Sequence, residues 1–295
     1  MRKLFLLAFF IPLIFVAQAQ QISMSVGLFS GITGSYTSDK GIRNDPRYKA
    51  RYEARLAPIG LNLGIDYEAF GLMLSPGLTT LGQNFYVLNT FEGQVGLRTI
   101  ELKYLNVPVS FKVHLFKTTF LKISALASFG PAFLLSGKEK LSHDYAKIPF
   151  PPATYSILPP DYTVEYDGVL APEIKDYTIA EKEDFKPLQL FAGAGFRTDW
   201  DVSNSWRISL DLRVNYGLSE PRSDKFVENL KSTTSLYQIP GERRDMFAQL
   251  SLGISKYIEF DKTDKDRQKK LKGTTRQYKP TKYPGQKSRT GKPKG

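Results

Sequence analysis

Hydrophobic and polar residues alternate with a period of two along much of the chain. Segment 206–217 is the clearest example, because its apolar residues all fall on one side of an extended backbone. Arginine, aspartate, serine and asparagine occupy the other side. A helix of 3.6 residues per turn would spread these charges around its whole circumference. The pattern therefore predicts a β-strand over 206–217.

The same alternation recurs in seven other segments. The eight predicted strands are 22–35, 56–67, 70–82, 98–115, 119–136, 187–200, 206–217 and 244–260. Short turns follow the second, fourth and sixth strands, whereas long segments follow the first, third, fifth and seventh. Long connections at one end and short turns at the other are typical of outer-membrane barrels. We expect no long helix to compete with these strands.

The two faces of the predicted strands differ in polarity. Small polar residues and a few charges suit the interior of an eight-stranded barrel, which is just wide enough for side chains. The apolar face would then contact lipid. Aromatic residues near the strand ends predict two interfacial girdles. One comprises Tyr67, Phe70, Phe116, Phe120, Trp200, Trp206 and Tyr257, and the other Tyr36, Tyr86, Tyr104 and Tyr216.

The predicted fold class is therefore all-β: an eight-stranded antiparallel transmembrane (outer-membrane) β-barrel with a disordered C-terminal tail. A soluble β protein rich in Tyr and Phe is the alternative. Residues 1–19 have a basic start, an apolar run and an Ala-Gln-Ala end, which together predict a secretory signal peptide. The barrel would occupy 20–260 and the tail 261–295. The expected location is the outer membrane of a Gram-negative cell.

The charge of the chain is concentrated at its ends. The 295 residues carry a formal net charge of +12. The tail holds thirteen basic and three acidic residues, the leader adds two basic residues, and segment 20–260 is neutral. The positive charge therefore does not describe the barrel, and nucleic acid is not an expected partner. Because the chain has no cysteine and two histidines, we predict no metal ligands, cofactor-binding residues or catalytic residues.

Six charged residues fall on the inward face of the predicted strands. They are Asp66, Lys112, Arg197, Arg207, Asp211 and Arg213. An unpaired buried charge is costly, so we expect these side chains to pair across the lumen. Such pairing favours a polar plug that fills the barrel over an ion-conducting pore.

The longest connection, 137–186, is rich in proline and tyrosine. Prolines favour extended polyproline II structure. A contact surface outside the cell and a lid over the barrel mouth are both consistent with this composition. The contact candidates are Tyr145, Tyr155, Tyr162, Tyr166 and Tyr177.

Histidine chemistry is expected to play a small part. Ser142, His143 and Asp144 contain the residue types of a hydrolase triad, but three successive loop residues rarely converge in space. His114 is expected to be a solvated strand end. An outer-membrane lipid-modifying enzyme is therefore a remote alternative.

Segment 261–295 has almost no apolar residues, and such a composition cannot bury enough surface to fold. Its charge would suit an anionic periplasmic partner such as peptidoglycan or an acidic protein. The contact candidates are Lys269, Lys270, Lys272 and Arg276.

Several strands resemble those of PorT-like outer-membrane β-barrel proteins. Tyr104-Leu105-Asn106-Val107-Pro108 through Val113 is similar to their "YLxIPxxxK" strand, and the segments 72–78, 191–196 and 210–218 resemble other strands in the same order. The resemblance covers about 20–260 and implies both termini in the periplasm. Founding members take part in type IX protein secretion and gliding motility. The long 137–186 loop and the basic tail depart from the family pattern.

The resemblance implies a non-enzymatic accessory or scaffolding component of envelope machinery such as PorT-like protein secretion. Its partners would be outer-membrane lipid and other envelope or secretion proteins. The alternative is a free-standing structural or adhesive barrel that binds partners through loop 137–186.

Overall fold

Strands make up most of the computed structural model, which describes residues 21–203, 205–232 and 235–261. The predicted signal peptide and the predicted tail beyond Asp261 lie outside the described residues. The strands are β1 (Gln21–Asp39), β2 (Tyr48–Arg51), β3 (Ala54–Asp66), β4 (Phe70–Leu74), β5 (Gly77–Leu81), β6 (Asn84–Leu88), β7 (Gln94–Asn106), β8 (Val109–Lys117), β9 (Leu121–His143), β10 (Ala146–Ile148), β11 (Thr163–Glu165), β12 (Gly168–Ala171), β13 (Ile174–Ala180), β14 (Leu188–Asp201), β15 (Trp206–Gly217) and β16 (Arg243–Asp261). The helices are α1 (Lys40–Asn44) and α2 (Asp224–Ser232), with 3₁₀ turns at Pro152–Ile157 and Lys182–Asp184.

Eight antiparallel wall strands close into a ring within the described residues. Their order around the ring is β1, β3, β4 with β5, β7 with β8, β9, β14, β15 and β16. Two wall strands are interrupted by proline, at Pro76 and Pro108, and the flanking halves continue the same pairing. β1 pairs with β16 along its whole length, from Gln21 opposite Asp261 to Asp39 opposite Arg243. Closure leaves no unpaired sheet edge in the wall.

The structure shows the antiparallel barrel that the alternation predicts. β15 begins and ends at the predicted residues, and the short turns lie where the sequence places them. Apolar side chains point outward and form an exposed band around the barrel, here called the apolar band. Its members include Val26, Leu28, Leu61, Leu72, Leu105, Phe111, Phe129, Phe196, Leu212, Val214, Leu252 and Ile254. An outward apolar face and an inward polar face suit a wall in lipid.

The predicted aromatic girdles are correct only in part. Phe116, Phe120 and Trp206 are exposed at the short-turn end. Tyr104 and Tyr257, which the girdles include, instead point into the barrel and are buried. Each fills interior space there: Tyr104 packs edge-on against Phe191, and Tyr257 lies under the Arg207 guanidinium.

A bulge in β9 changes which of its residues face inward toward the loop end. Leu134 and Ser136 pair with the consecutive residues Tyr104 and Lys103, so Leu135 is an extra residue. A one-residue slip moves every following side chain to the other face. Beyond it Leu141 points inward with Ile100 and Leu102 of β7, while Lys138 is exposed outside. The apolar core of the molecule therefore lies inside the loop end of the barrel, above the apolar band.

The long connections contain more regular structure than the sequence predicts. β9 continues to His143, so the first seven residues of the predicted 137–186 loop belong to the wall. The rest of that loop forms the small sheet β10–β12–β11 and strand β13, which pairs with β9. The loop after β15 contains α2, and the loops after β1 and β5 contribute β2 and β6. Among the described residues, no helix is long and apolar enough to span a membrane.

The outward position of Leu212 in the middle of β15 makes a direct test of the apolar band. Leu212 is 49% exposed on the outward face of β15, so Leu212→Arg places a charge on that face. We expect the free energy of unfolding in lipid vesicles to fall by about 2–4 kcal/mol, because arginine is costly at mid-membrane depth. Thr99→Arg, outward but above the band, should change it by less than about 1 kcal/mol. Urea unfolding followed by gel mobility measures both, and equal losses would contradict the assignment of the band.

Candidate functional site

A cluster of ion pairs fills the barrel at the short-turn end. Asp66, at the end of β3, contacts the Lys112 ammonium of β8 and lies 3.2 Å from Arg207 Nη1 of β15. Lys122 Nζ is 3.5 Å from the same carboxylate. Alternation along each strand directs these side chains inward, and the ring brings strands distant in sequence together. We call this group, with the residues described next, the turn-end cluster.

The second half of the turn-end cluster lies on β14 and β15. Arg197 Nε is 2.8 Å from Asp199 Oδ1, and Arg197 Nη1 is 3.5 Å from Asp211 Oδ2. Arg213 forms two hydrogen bonds of 2.6 Å with the Asp211 carboxylate. All six charged residues singled out from the sequence thus face the lumen, and each is in an ion pair. Charge-assisted, two-point contacts such as Arg213–Asp211 also fix geometry.

Several members of the turn-end cluster were not predicted. Lys122 and Asp199 lie on the polar face of their strands, so the alternation was sufficient to find them. His114 was expected to be solvated, and this was wrong. Its side chain is 2% exposed, with Nδ1 2.8 Å from Ser124 Oγ and Nε2 3.8 Å from Asp66 Oδ1. The lumen continues to the end of β8, which places His114 inside.

A second ion-pair cluster, the loop-end cluster, lies above the apolar band. Glu139 of β9 forms an ion pair with Arg98 of β7 and accepts two hydrogen bonds of 2.9 Å from Arg243 of β16. Arg243 Nε also donates to Asp39 of β1 at 2.9 Å, and Arg222 Nη1 lies 3.6 Å from the same carboxylate. The cluster therefore joins four wall strands and the loop after β15. Its residues lie in or near segments predicted to be loops, so the alternation of apolar and polar residues assigned no inward face to most of them.

Burial and charge act in opposite directions on the carboxylates of the loop-end cluster. Burial alone would raise the pKa of the Glu139 carboxyl, but the Arg243 and Arg98 guanidinium groups beside it lower that pKa to about 2. For Asp245 burial dominates and raises the pKa to about 6, although Arg243 opposes the shift. Asp245 accepts a hydrogen bond of 2.9 Å from Thr37 Oγ1. Glu139 is thus held ionised, whereas Asp245 titrates in mildly acidic conditions.

The lumen between the two clusters is packed with small polar groups and one aromatic ring. Phe29 of β1 points inward against Gly60 and Gly77, and any side chain at Gly60 would overlap its ring. One cavity among these groups, lined in part by Asn62, Ser75 and Asn106, has a volume of about 20 Å³, which is room for about one water molecule. The two ion-pair clusters and the Phe29 ring thus obstruct the passage through the described part of the barrel.

The connection after β9 forms a folded lid on the loop end, here called the cap (residues 144–186). Ile148, Phe150 and Val169 of the cap are buried in the core at the barrel mouth. Phe150 packs edge-on against Tyr237 with ring centroids 6.0 Å apart, and the Arg47 guanidinium lies 4.5 Å from the Phe150 ring. The prolines do not produce one extended segment, because Pro152 begins a 3₁₀ turn. A polyproline II loop is therefore the wrong description of this connection.

The five tyrosines of the cap divide into two groups. Tyr155 and Tyr162 pack against the core, and the Tyr162 hydroxyl lies 2.7 Å from that of Tyr237. Tyr145, Tyr166 and Tyr177 are exposed. The cap is thus both a lid and a surface that presents aromatic side chains.

Ser142, His143 and Asp144 do not form a catalytic triad. Because they are consecutive at the end of β9, Ser142 and His143 point to opposite faces of the strand. Ser142 Oγ accepts a hydrogen bond of 3.0 Å from the Asp176 amide. His143 is buried, with Nδ1 3.0 Å from the Asp144 carbonyl and Nε2 3.2 Å from the Tyr237 hydroxyl. Burial lowers the pKa of His143, although its hydrogen bond to Asp144 opposes the shift.

No metal site is evident in the part of the chain that the structure describes, where no group of three or more His, Asp or Glu residues could hold an ion. The tail candidates Lys269, Lys270, Lys272 and Arg276 lie outside the described residues.

Comparison with known proteins gives one family match. Residues 17–220 match the family described as "Outer membrane protein beta-barrel domain". A comparison with curated proteins finds no match.

Several solved structures are similar to this chain at low identity. Neisserial surface protein A is 8% identical, covering 80% of this chain and 96% of its own, with a TM-score of 0.33. Ail, the attachment invasion locus protein of Yersinia pestis, is 14% identical over 82% of this chain and 100% of its own, with a TM-score of 0.31. The outer membrane protease OmpT from Escherichia coli is 8% identical over 82% and 98%, with a TM-score of 0.32. Similarity at this level does not inform function.

The loop-end cluster makes a strong prediction for stability. Glu139→Gln leaves the buried Arg98 and Arg243 without their shared carboxylate. We expect the free energy of unfolding to fall by about 3–5 kcal/mol, because breaking a buried pair leaves uncompensated charge. Glu242→Gln removes solvent-exposed pairs with Lys40 and Arg244 and should cost less than about 1 kcal/mol. Urea unfolding in vesicles at neutral pH compares the two, and equal effects would contradict the role of the cluster.

The raised pKa of Asp245 predicts a pH dependence with a defined sign. The pKa of Asp245 is about 6 in the folded state, whereas in the unfolded chain it is about 4. The stabilising contribution of the protonated carboxyl is therefore complete below about pH 4 and lost as the pH rises through about 6. Asp245→Asn should be more stable, relative to wild type, at pH 8 than at pH 4, by about 2 kcal/mol. Unfolding at both pH values measures this, and a pH-independent difference would contradict it.

Proposed function

Since the chain belongs to the outer membrane protein β-barrel domain family, we propose that it is a non-enzymatic accessory scaffold of the cell envelope. It would hold other envelope proteins at the outer membrane, as expected for machinery such as PorT-like protein secretion. Family membership itself places the protein in the outer membrane. The scaffolding role is the proposal.

The observation that carries this proposal is the closed lumen beneath a folded cap. A pore needs an open path, but two ion-pair clusters and the Phe29 ring fill the interior. A barrel filled in this way acts through its surfaces. A catalytic role for Ser142, His143 and Asp144 finds no support, because the Ser142 hydroxyl and the His143 imidazole do not meet.

The cap is attached firmly enough to serve as a contact surface. β13 pairs with β9, and the cap residues Ile148 and Phe150 are buried in the barrel mouth. Rigid aromatic side chains on a preorganised surface lose little conformational entropy on binding. Exposed Tyr145 and Tyr166 on this surface support contact with a macromolecule.

A free-standing adhesive barrel is the second candidate. The exposed cap tyrosines support it as well, because the long connections of an outer-membrane barrel are expected on the extracellular side. The two candidates differ in the partner: an envelope protein of the same cell for the scaffold, and a molecule outside the cell for the adhesin. The basic tail candidates Lys269, Lys270, Lys272 and Arg276 would add a periplasmic contact with peptidoglycan or an acidic protein.

Co-purification from native membranes tests the scaffolding proposal. The full chain should recover a defined set of envelope proteins after mild solubilisation, identified by mass spectrometry. Replacement of residues 149–172 by a short Gly-Ser linker should remove partners of the cap, and deletion of residues 262–295 should remove partners of the tail. Anomalous gel migration without heating confirms that each variant is folded.

Recovery of no protein above background by the full chain would contradict the scaffold. So would an unchanged set of partners in both variants. Binding of the wild-type protein to the surface of other cells, lost with the cap and without any envelope partner, would favour the adhesin.

A further inference from the structure

A cleft opens on the outer surface between the cap and the loop after β15. Its volume is about 680 Å³. The rings of Tyr162, Tyr177 and Tyr237 line it, with Asp161 and Glu173 at its rim. Binding sites are typically concave, largely apolar, and supplied with a few convergent polar groups. The cleft is an open depression whose lining combines tyrosine rings with a few polar groups, and it takes no part in closing the lumen.

Hydrogen bonds fix two of the three rings. The Asp144 carbonyl can only accept, so His143 Nδ1 carries the proton and Nε2 accepts from the Tyr237 hydroxyl, 3.2 Å away. The Tyr162 hydroxyl then donates to the Tyr237 oxygen at 2.7 Å. Both phenol groups are therefore used in an internal chain. Tyr237 is buried, so of these two rings it is the half-buried Tyr162 that offers ring surface, rather than a hydroxyl group, to a ligand.

The third ring, Tyr177, is held by an unusual backbone. Asp176 has a φ of 51°, a left-handed conformation that is uncommon for residues other than glycine. The pairing of β13 with β9 shifts register there, and the Asp176 amide donates to Ser142 Oγ at 3.0 Å. The result sets the Tyr177 ring 5.6 Å from the Tyr237 ring while leaving it exposed. Backbone strain of this kind is frequent at binding sites.

The charge around the rings is negative. Asp161 forms no ion pair with any described residue, and Glu173 pairs only with the exposed Lys175, at 2.8 Å. The whole cap, residues 144–186, contains nine acidic and four basic residues. A cation over the face of a tyrosine ring is attracted by the ring quadrupole. Ring faces with the carboxylates of Asp161 and Glu173 beside them therefore favour a positively charged group.

The protein already shows this chemistry on the buried side of the same aromatic cluster. The Arg47 guanidinium lies 4.5 Å from the Phe150 ring and 5.9 Å from the Tyr237 ring. Its charge is balanced by Asp45, 2.7 Å away. Arg47 thus occupies the buried side of the cluster, whereas on the cleft side the ring of Tyr177 is exposed.

We propose that this cleft binds an arginine or lysine side chain of a basic segment in a partner protein. The inference rests on the proposed scaffolding function and specifies the chemistry of the contact. The aliphatic part of the side chain would lie against Tyr162 and Tyr177. Its charged end would reach Asp161 and Glu173.

A fluorescent five-residue peptide that alternates arginine with glycine is the probe. Binding to the full chain in zwitterionic nanodiscs is followed by anisotropy at about 0.15 M salt, where distant charges are screened. Tyr177→Ala, and the double variant Asp161→Asn with Glu173→Gln, should each weaken binding at least about threefold. The matched control, Glu165→Gln with Asp167→Asn, removes two cap carboxylates that pair with Lys147. It should change the affinity less than about 1.5-fold.

Three results would overturn the inference: no binding of the arginine peptide, equal losses in the two double variants, or Tyr177-dependent binding of a neutral oligosaccharide instead. Equal losses would mean that only the overall acidity of the cap attracts the peptide. The proposed function is tested separately by co-purification. If Asp161→Asn with Glu173→Gln retains the envelope partners, the cleft assignment fails and the scaffold stands. If wild type recovers none, the scaffold fails.

Discussion

The structure depends on pairing buried charges inside a tube of eight strands. Arginine and aspartate on the inward faces cannot reach bulk water, so each needs a partner inside the barrel. Some partners come from strands far apart in sequence, as where Asp66 meets Lys112 and Arg207, and others lie on the same strand, as in Arg213–Asp211. The same ion pairs fill the lumen. Because nothing can pass through a filled lumen, we expect the protein to act through its outer surfaces. The closed interior and the proposed scaffolding role thus share one cause.

The polarity of the wall changes above the apolar band. Beyond the extra residue Leu135 of β9, apolar side chains such as Leu141 share the inward face with the loop-end cluster. The molecule therefore has two interiors: a polar one enclosed by the apolar band, and a largely apolar one at the loop end that also holds the loop-end cluster. The second interior gives the cap a surface on which to fold. The loop-end cluster around Glu139 then joins the cap end of the wall to β1 and β16.

Strict alternation of apolar and polar residues made the barrel wall predictable from the sequence. The structure of the cap was not predictable in this way, because the alternation is interrupted before the cap begins. The residues of β15 alternate without a break, so its limits and its inward charges Arg207, Asp211 and Arg213 follow from the sequence. The bulge at Leu135 changes the phase of β9, and the alternation that identified the strand stops there. Glu139 and Arg98 form a buried ion pair between segments that are distant in sequence. The local alternation of residues cannot predict such a contact. Tyr104 and Tyr257 look like girdle residues in sequence, but the packing of the interior uses them instead.

The central claim is that buried ion pairs and close packing keep the lumen shut. Current through the purified protein in a planar lipid bilayer tests it most directly. We predict no steady conductance above the bilayer leak at neutral pH and moderate voltage, because the two ion-pair clusters and the Phe29 ring obstruct the described interior. A steady, ohmic conductance of single reconstituted barrels would contradict the claim, since it requires a continuous aqueous path through both clusters.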